Sequence, residues 1–448
     1  MVPFLLLIFS INIAFKIEPM YPNLYYVFRD LFGVNIGVLR FINSFGFFVA
    51  IAFLVGAALL GAELRRKGKE GLFHPTEVKV KVGEPASITE LLTHFLLGFL
   101  FGYKILALFF LDAEVTRDTQ AYIFSGQGSL PLGLLLGGVF AFLRYRDKKK
   151  QQLAKPETRT LRMWPHDRVG ELTIIALIVG LVGAKLFDIF ENWSDFLTKP
   201  ADYIFSGGGL TFYGGLICAT LVIIWYARKN KISVRHLGDA IAPSLMIAYA
   251  IGRIGCQVAG DGDWGIYNSA FALDSSSNIV VAQPGDFERA AQANADYFIK
   301  EGHMENAYFP KPGALSFLPN WFFAYNFPNN VNEAGVPIPG CDDRYCNQLP
   351  VPVFPTALYE VIACTLLFFL LWGLRKRLSP PGAVFCLYLI LNGLERFMIE
   401  KIRVNVKMEN FLGMQPTQAE VISFFLVLAG ILGWVFLKYK YRASAERV

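Results

Sequence analysis

The sequence predicts an all-α integral membrane protein, a polytopic helical bundle of about nine spans with a duplicated two-helix hairpin and one long extracytoplasmic insert. Three observations predict it. Only 17% of the 448 residues are charged and 54% are hydrophobic, where a soluble domain carries about a quarter charged residues; mean hydropathy is +0.41. Long apolar runs recur along the chain, and lysine and arginine collect in alternate connections between them.

The apolar runs are, in order, Phe45–Ala62, Leu91–Leu111, Leu130–Leu143, Leu172–Phe190, Leu210–Tyr226, Ile241–Ile254, Ala357–Trp372, Ala383–Leu394 and Val421–Leu437. A span takes roughly 20 predominantly apolar residues, fewer where flanking residues snorkel, so the shorter runs extend into their polar shoulders. Ahead of the first run, residues 1–15 are apolar but lack a basic n-region and a small-residue cleavage site. They are expected to lie as an interfacial helix on the outer leaflet.

Orientation follows from the basic residues. Arg65, Arg66, Lys67 and Lys69 follow the first run, Arg144 to Lys150 the third, Arg228 to Arg235 the fifth, Arg375 to Arg377 the seventh, and Lys438 to Arg442 the last. The intervening connections Asp112–Gly126 and Asn192–Gly207 each hold one basic residue. The N-terminus is therefore expected outside and the C-terminus in the cytoplasm. These cytoplasmic loops account for the net charge of +6, so no nucleic-acid partner is implied.

Cys218, Cys364 and Cys386 sit inside apolar runs as packing residues. Cys341 and Cys346 flank a short polar turn in the insert, where an oxidising compartment permits a disulfide; two free thiols are the other reading. No Cys/His cluster has metal-ligand spacing and no phosphate-cradling glycine loop opens a helix, so neither a metal nor a cofactor is expected.

The chain repeats itself. Tyr122 to Gly126 recurs as Tyr203 to Gly207, an offset of 81 residues. The same offset pairs Glu90 with Glu171, Gly102 with Gly183, Lys104 with Lys185, Gly128 with Gly209 and Gly133 with Gly214. Each copy is a span, an outside loop and a returning span, a parallel duplication of a kind also found in transporters. A small-anion carrier therefore stands as a rival reading. Only the second copy follows its shared turn with Thr211-Phe-Tyr-Gly-Gly215, so chemistry is expected there and a structural role in the first. The long segment from Gly265 to Pro355 is rich in Asn, Asp, Pro and Ser, and a connection this long is functional or a small domain. Its stretch Pro319–Phe327 either rests on the membrane interface or packs on its own loop.

Ionisable residues at membrane depth are functional candidates by default, since each costs about 2.5–3.5 kcal/mol on insertion scales. Four clusters qualify. In Gly252–Gly265, Arg253 lies inside an apolar run and Asp261 and Asp263 in a glycine-rich exit; the fork of Arg253 suits a phosphate, or pairs with an aspartate to pin the exit. In Leu391–Arg403, Arg396, Glu400 and Arg403 share one helix face, as a second phosphate contact or an intrahelical ion-pair ladder. Pro355–Glu360 offers Tyr359 and Glu360, the latter also fitted to complement a helix dipole in the first turn. In Gly208–Gly215, Tyr213 stands between glycines that also serve helix packing.

These clusters, in this order, resemble the prolipoprotein diacylglyceryl transferase family. Its "GGxSFHGGL", "RxGNFxNGExxG", "HPSQLYE" and "FRFxxEFxR" stand here as Gly208–Leu216, Arg253–Gly265, Phe354–Glu360 and Glu395–Arg403. The resemblance covers Phe45–Ala62 and Asp167 to the C-terminus, and implies a seven-span core to which residues 74–160 are an addition. It divides the chain into an outside arm (1–44), a first span (45–73), the extra hairpin (74–160), core spans (161–265), the insert (266–354), and three last spans with a cytoplasmic tail (355–448).

The resemblance implies transfer of the sn-1,2-diacylglyceryl group from phosphatidylglycerol to the lipobox cysteine of a prolipoprotein. A thioether forms and glycerol phosphate leaves, at a bacterial inner membrane and without a cofactor. It implies Arg253, Arg396 and Tyr213 as catalytic residues. Phosphatidylglycerol would meet Arg253, Arg396, Asp261, Gly265, Tyr359, Glu360, Glu400 and Lys185, the last replacing an arginine. The chain departs from the pattern at Tyr213 for histidine, Cys256 for asparagine, Asp261 for glutamate, Phe354 for histidine and Asn392 for tyrosine. None of its five histidines (His74, His94, His166, His236 and His303) fills the vacant position. Either Tyr213 orients the thiol, or an arginine-rich field lowers its pKa and water takes the proton. A catalytically inactive phospholipid-binding or lipid-moving protein is the alternative that these departures raise.

Overall fold

The computed structural model describes residues 19–110, 122, 125–205, 211–262, 264–405, 407–408 and 413–445. The expected interfacial helix over residues 1–15, Gly208–Leu210 and Asp263 lie outside them. In chain order the longer helices are α1 (Leu24–Phe32), α2 (Ser44–Lys69), α3 (Ile88–Leu100), α4 (Leu130–Gln151), α5 (Val169–Glu191), α6 (Phe212–Lys229), α7 (Val234–Ala259), α8 (Thr356–Leu374), α9 (Ala383–Glu400) and α10 (Gln418–Ala445). Each apolar run overlaps one of α2 to α10, the second continuing past α3 through Phe101–Ile105 and Leu106–Phe109. Among the described residues, six segments are long and apolar enough to cross a membrane: Ser44–Lys69, Ile88–Phe109, Pro165–Glu191, Val234–Ala259, Thr356–Leu374 and Gln418–Arg442. This is a polytopic, largely helical membrane protein.

The chain divides into two compact units. One comprises Ile36–Phe41 and Leu64–Val234 and contains both copies of the repeat. The copies use the same device twice. A Cβ added to Gly102 would lie 2.3 Å from the Leu132 carbonyl oxygen of α4; one added to Gly183 would lie 2.8 Å from the Gly214 carbonyl of α6. Lacking side chains, these glycines let the π-helical turn that continues α3 (Phe101–Ile105) meet α4, and α5 meet α6, backbone to backbone. Gly214 and Gly215 share the packing role, the latter facing the Gly180 carbonyl.

The paired lysines also correspond. Lys104 Nζ donates to the carbonyls of Tyr122 (2.8 Å), Ser125 (2.7 Å) and Gln127 (2.8 Å) and lies 4.8 Å from the Tyr122 ring centroid. Lys185 lies 5.0 Å from the ring centroid of Tyr203, the equivalent tyrosine. Around the first hairpin, β1 (Thr76–Val82) pairs antiparallel with β2 (Glu157–Met163), Thr76 opposite Met163 and Val82 opposite Glu157. This ribbon is the one long β element among the described residues, and the helical expectation for residues 74–160 did not foresee it.

The other unit comprises Met1–Asn35, Ile42–Glu63 and Arg235–Val448. Its core forms around α7, where Met246, Ile247, Ile251 and Ile254 are at most 1% exposed. They pack with Phe48 and Ile51 of α2, Val361, Phe368 and Leu371 of α8, Val384 of α9 and Tyr26 of α1. Asp239 fixes the start of α9: its Oδ2 accepts the Gly382 N–H at 2.7 Å and its Oδ1 the Phe385 N–H at 3.1 Å.

Between α7 and α8 the insert has cores of its own. Tyr267, Phe298, Tyr325, Phe327, Leu349 and Val351 make one, and Phe271 and Phe323 belong to another. Phe323 to Phe327 are buried in them, so the second half of Pro319–Phe327 packs on its own segment. Cys341 and Cys346 form a disulfide. The loop that it closes docks on α1, where Asp343 accepts a hydrogen bond from Tyr26 at 2.8 Å and an ion pair from Arg29 at 2.5 Å.

Candidate active site

Three helices of the α7 unit, α7, α8 and α9, meet at Glu360. It lies on α8 beyond the first turn, which holds no acidic residue, so the helix-dipole reading of Glu360 does not stand. Its carboxylate is wholly buried and bridges two arginines. Oε2 is 2.8 Å from Nε of Arg253 on α7, and Oε1 accepts from Nη1 of Arg396 on α9 at 3.2 Å. The Tyr249 hydroxyl, one turn before Arg253, also donates to Oε1, at 2.7 Å. Arg253 itself reaches Tyr249 Oη at 3.3 Å and Cys256 Sγ at 3.6 Å.

Two cations largely withdrawn from solvent are tolerable only because anions face them, and Glu360 is shared between both. Glu360 is thus a partner of Arg253 from another helix; of the two exit aspartates, Asp263 lies outside the described residues. Arg396 keeps a second carboxylate contact, with Glu400 Oε2 at 3.0 Å along the same helix. The ion-pair ladder and the bridge to another helix thus coexist in one side chain. Glu400 Oε1 in turn accepts from Asn405 Nδ2 at 2.6 Å.

Gly265 is where three chain segments join. Its N–H donates to Phe354 O at 2.8 Å, the Ile266 N–H donates to Ile402 O at 2.9 Å, and the Phe354 N–H donates back to Ile266 O at 3.1 Å. A Cβ at position 265 would stand 2.4 Å from Ile402 O and 2.8 Å from Phe354 Cβ. Glycine is required here because the chain leaving α7, the start of α8 and the end of α9 close on one point. Tyr359 also ties elements together, its hydroxyl donating to Phe322 O in the insert at 2.7 Å.

Asp261, two residues past α7, has its N–H on Cys256 O at 3.3 Å, while its carboxylate Oδ1 meets no donor among the described residues. Burial pushes this carboxyl above its ordinary range, against the pull of Cys256 and Arg253. Arg403, just beyond α9, is brought down to about 10 by burial and by the charge of Arg253.

The remaining expected residues, Tyr213 and Lys185, belong to the hairpin unit. Tyr213 is in the first turn of α6. Lys185 Nζ is 3.9 Å from Asp188 Oδ2 and lies over the Tyr203 ring, the place its repeat mate Lys104 takes at Tyr122.

Sequence reasoning passed over two residues of the cluster. Tyr249 was legible as the residue four before Arg253, on the same helix face. Glu395 is a buried acid next to Arg396, immediately after an apolar run. No N–H or O–H donor meets its oxygens among the described residues, and Cys364 lies beside it. An acid at that depth was itself the missed signal.

A model of the prolipoprotein diacylglyceryl transferase family matches residues 132–436. The chain belongs to this family. The match leaves out α2 and takes in α4 of the first hairpin together with every residue of the Glu360 cluster. Among curated transferases, phosphatidylglycerol–prolipoprotein diacylglyceryl transferase 2 of Clostridium perfringens is 26% identical over 285 residues, covering 63% of this chain and 84% of that protein. The Dehalococcoides mccartyi (strain 195) transferase is 25% identical over 284 residues, 63% of this chain and 80% of its own length. The Leptospira interrogans transferase is 36% identical over a shorter stretch of 117 residues, 37% of its length.

Proposed function

We propose that this member of the family transfers the diacylglyceryl group of phosphatidylglycerol to the cysteine thiol of a prolipoprotein lipobox. The reaction is a displacement at a primary carbon. The sulfur–carbon bond forms, the carbon–oxygen bond to phosphate breaks, the thiol proton passes to water, and glycerol phosphate departs. The observation that carries the reading is the half-buried pair Arg253 and Arg396, held by one wholly buried carboxylate.

A departing phosphate gains negative charge in the transition state, and preorganised guanidinium groups stabilise it without reorganising at that moment. Glu360 supplies the preorganisation: it fixes one edge of each fork and balances their charge while no substrate is bound. The same field favours a thiolate over a thiol, whose ordinary pKa is about 8.5. Asp261, Glu400 and Tyr359 complete the shell around the lipid, with Gly265 holding their elements together. Tyr213 and Lys185 are assigned to the same reaction by their place in the family pattern.

The apolar runs support about nine spans and the basic residues an N-terminus outside and a C-terminus in the cytoplasm, while a bacterial inner-membrane setting follows from the family. Residues 74–160 are read as an added hairpin and residues 266–354 as an extracytoplasmic head.

The test incubates detergent-purified protein with phosphatidylglycerol and a lipobox peptide, following thioether-linked diacylglyceryl peptide by mass. Product should appear, and should vanish with Arg253→Ala or with a cysteine-less peptide. Retained phosphatidylglycerol binding without product would favour the lipid-binding alternative.

A further inference from the structure

The helix that carries Arg253 also holds one amide left without a partner among the described residues. Gln257 is 1% exposed, and neither its Oε1 nor its Nε2 meets a hydrogen-bonding partner among the described residues. Two other buried amides of this unit are engaged through both their atoms. Asn330 Nδ2 donates to the carbonyls of Phe327, Ala334 and Asn347, and its Oδ1 accepts the Ala334 N–H. Asn268 donates to the Phe309 and Phe323 carbonyls and accepts the Ala270 and Phe309 N–H groups. Buried polar groups are ordinarily satisfied, so one missing both donor and acceptor partners requires an explanation. A leucine or methionine would fill the same space without the desolvation cost.

Position supplies the explanation. Tyr249, Arg253 and Gln257 follow each other at intervals of four on α7, one helix face, and the first two converge on Glu360. Gln257 lies one turn beyond Arg253, about 6 Å along the axis, on the side of Asp261 and the insert. A phosphate gripped by Arg253 would leave its headgroup at this level.

Chemistry then narrows the ligand. Phosphate oxygens only accept and guanidinium groups only donate, whereas a carboxamide does both. Its natural complement is a hydroxyl, which also does both, and the glycerol of the headgroup carries two of them. We propose that Gln257 reads the hydroxyls of the glycerol headgroup and so sets preference for phosphatidylglycerol over phospholipids with an apolar headgroup. This rests on the proposed transfer reaction and assigns Gln257 as a specificity residue rather than a catalytic one.

The experiment compares phosphatidylglycerol with phosphatidylethanol, which keeps the phosphodiester and lacks both hydroxyls, in wild-type protein and in Gln257→Met and Gln257→Leu. Wild type should favour phosphatidylglycerol in kcat/KM by about tenfold, the worth of two neutral hydrogen bonds. Both variants should bring the two lipids within about twofold, through loss on phosphatidylglycerol alone, with a Tm no lower than wild type. A wild-type preference that persists in a folded variant overturns the proposal and leaves the amide to bound water. If wild-type protein forms no transfer product from either lipid, the transfer reading fails, and the same preference is then measured as binding to vesicles of each lipid. Equal wild-type binding would overturn the assignment of Gln257, while a preference lost in both variants would sustain it.

Discussion

Replacing Glu360 by glutamine keeps the shape of the bridging side chain and removes its charge. In the wild type the carboxylate holds Arg253 Nε at 2.8 Å, Arg396 Nη1 at 3.2 Å and Tyr249 Oη at 2.7 Å. A hydrogen bond to a charged group contributes about 1.5–3 kcal/mol, so the two arginine contacts together contribute roughly 3–6 kcal/mol. The glutamine oxygen still accepts from one arginine, while its NH2 group turns a donor toward the other. A net loss of about 3–4 kcal/mol in positioning follows, equivalent to a fall of about 100- to 1000-fold in kcat. The opposing effect is electrostatic: without the carboxylate the site is more positive and attracts a phosphodiester more strongly. KM for phosphatidylglycerol is therefore expected to stay level or drop, while kcat falls. The assay is steady-state transfer in mixed micelles at saturating lipobox peptide, with Tm as the check on folding. A folded Glu360→Gln protein with kcat within about threefold of wild type would refute the positioning role of Glu360.

Further outcomes follow from the same contacts. Arg396→Lys keeps the charge but cannot reach Glu360 and Glu400 as a fork, and should lose about 10- to 100-fold in kcat; lysine performing as well as arginine would remove the geometric requirement. Gly265→Ala places a Cβ 2.4 Å from a backbone oxygen, so a shift costing about 1–3 kcal/mol is expected, read as a lower Tm with activity falling in parallel. At Asp343, burial pushes the carboxyl up, but Arg29, the Arg344 N–H and the Tyr26 hydroxyl outweigh it and hold it below its ordinary range. Its stabilising contribution is thus complete above the unfolded pKa of about 4 and is lost as pH falls through the lower folded value. Hydrogen exchange in the 341–346 loop should rise only below about pH 4 in wild type, and at every pH in Asp343→Asn.

What was legible in the sequence was whatever has a period or a depth. The apolar runs located α2 to α10 because lipid demands uninterrupted apolar length. The 81-residue offset located the two hairpins because glycine at a backbone crossing and lysine over a tyrosine are needed once per copy. Arg253 and Arg396 stood out because charges inside apolar helices need a partner. Which partner they share was not legible: Glu360 lies 107 positions after Arg253 and 36 before Arg396, and only tertiary packing makes them neighbours. The alternation in Thr76–Val82 was a strand signal, and it was passed over because its mate, Glu157–Met163, lies beyond a whole helical hairpin.

The most direct test of the central claim is the stoichiometry of the reaction. Purified protein, phosphatidylglycerol with a labelled headgroup and excess lipobox peptide would be followed for glycerol phosphate released and diacylglyceryl peptide formed. One glycerol phosphate per thioether, with both lost together in Arg396→Ala, is the expected result. Phosphatidylglycerol that stays intact on the protein, or headgroup release without thioether, would contradict the assignment of this site to diacylglyceryl transfer.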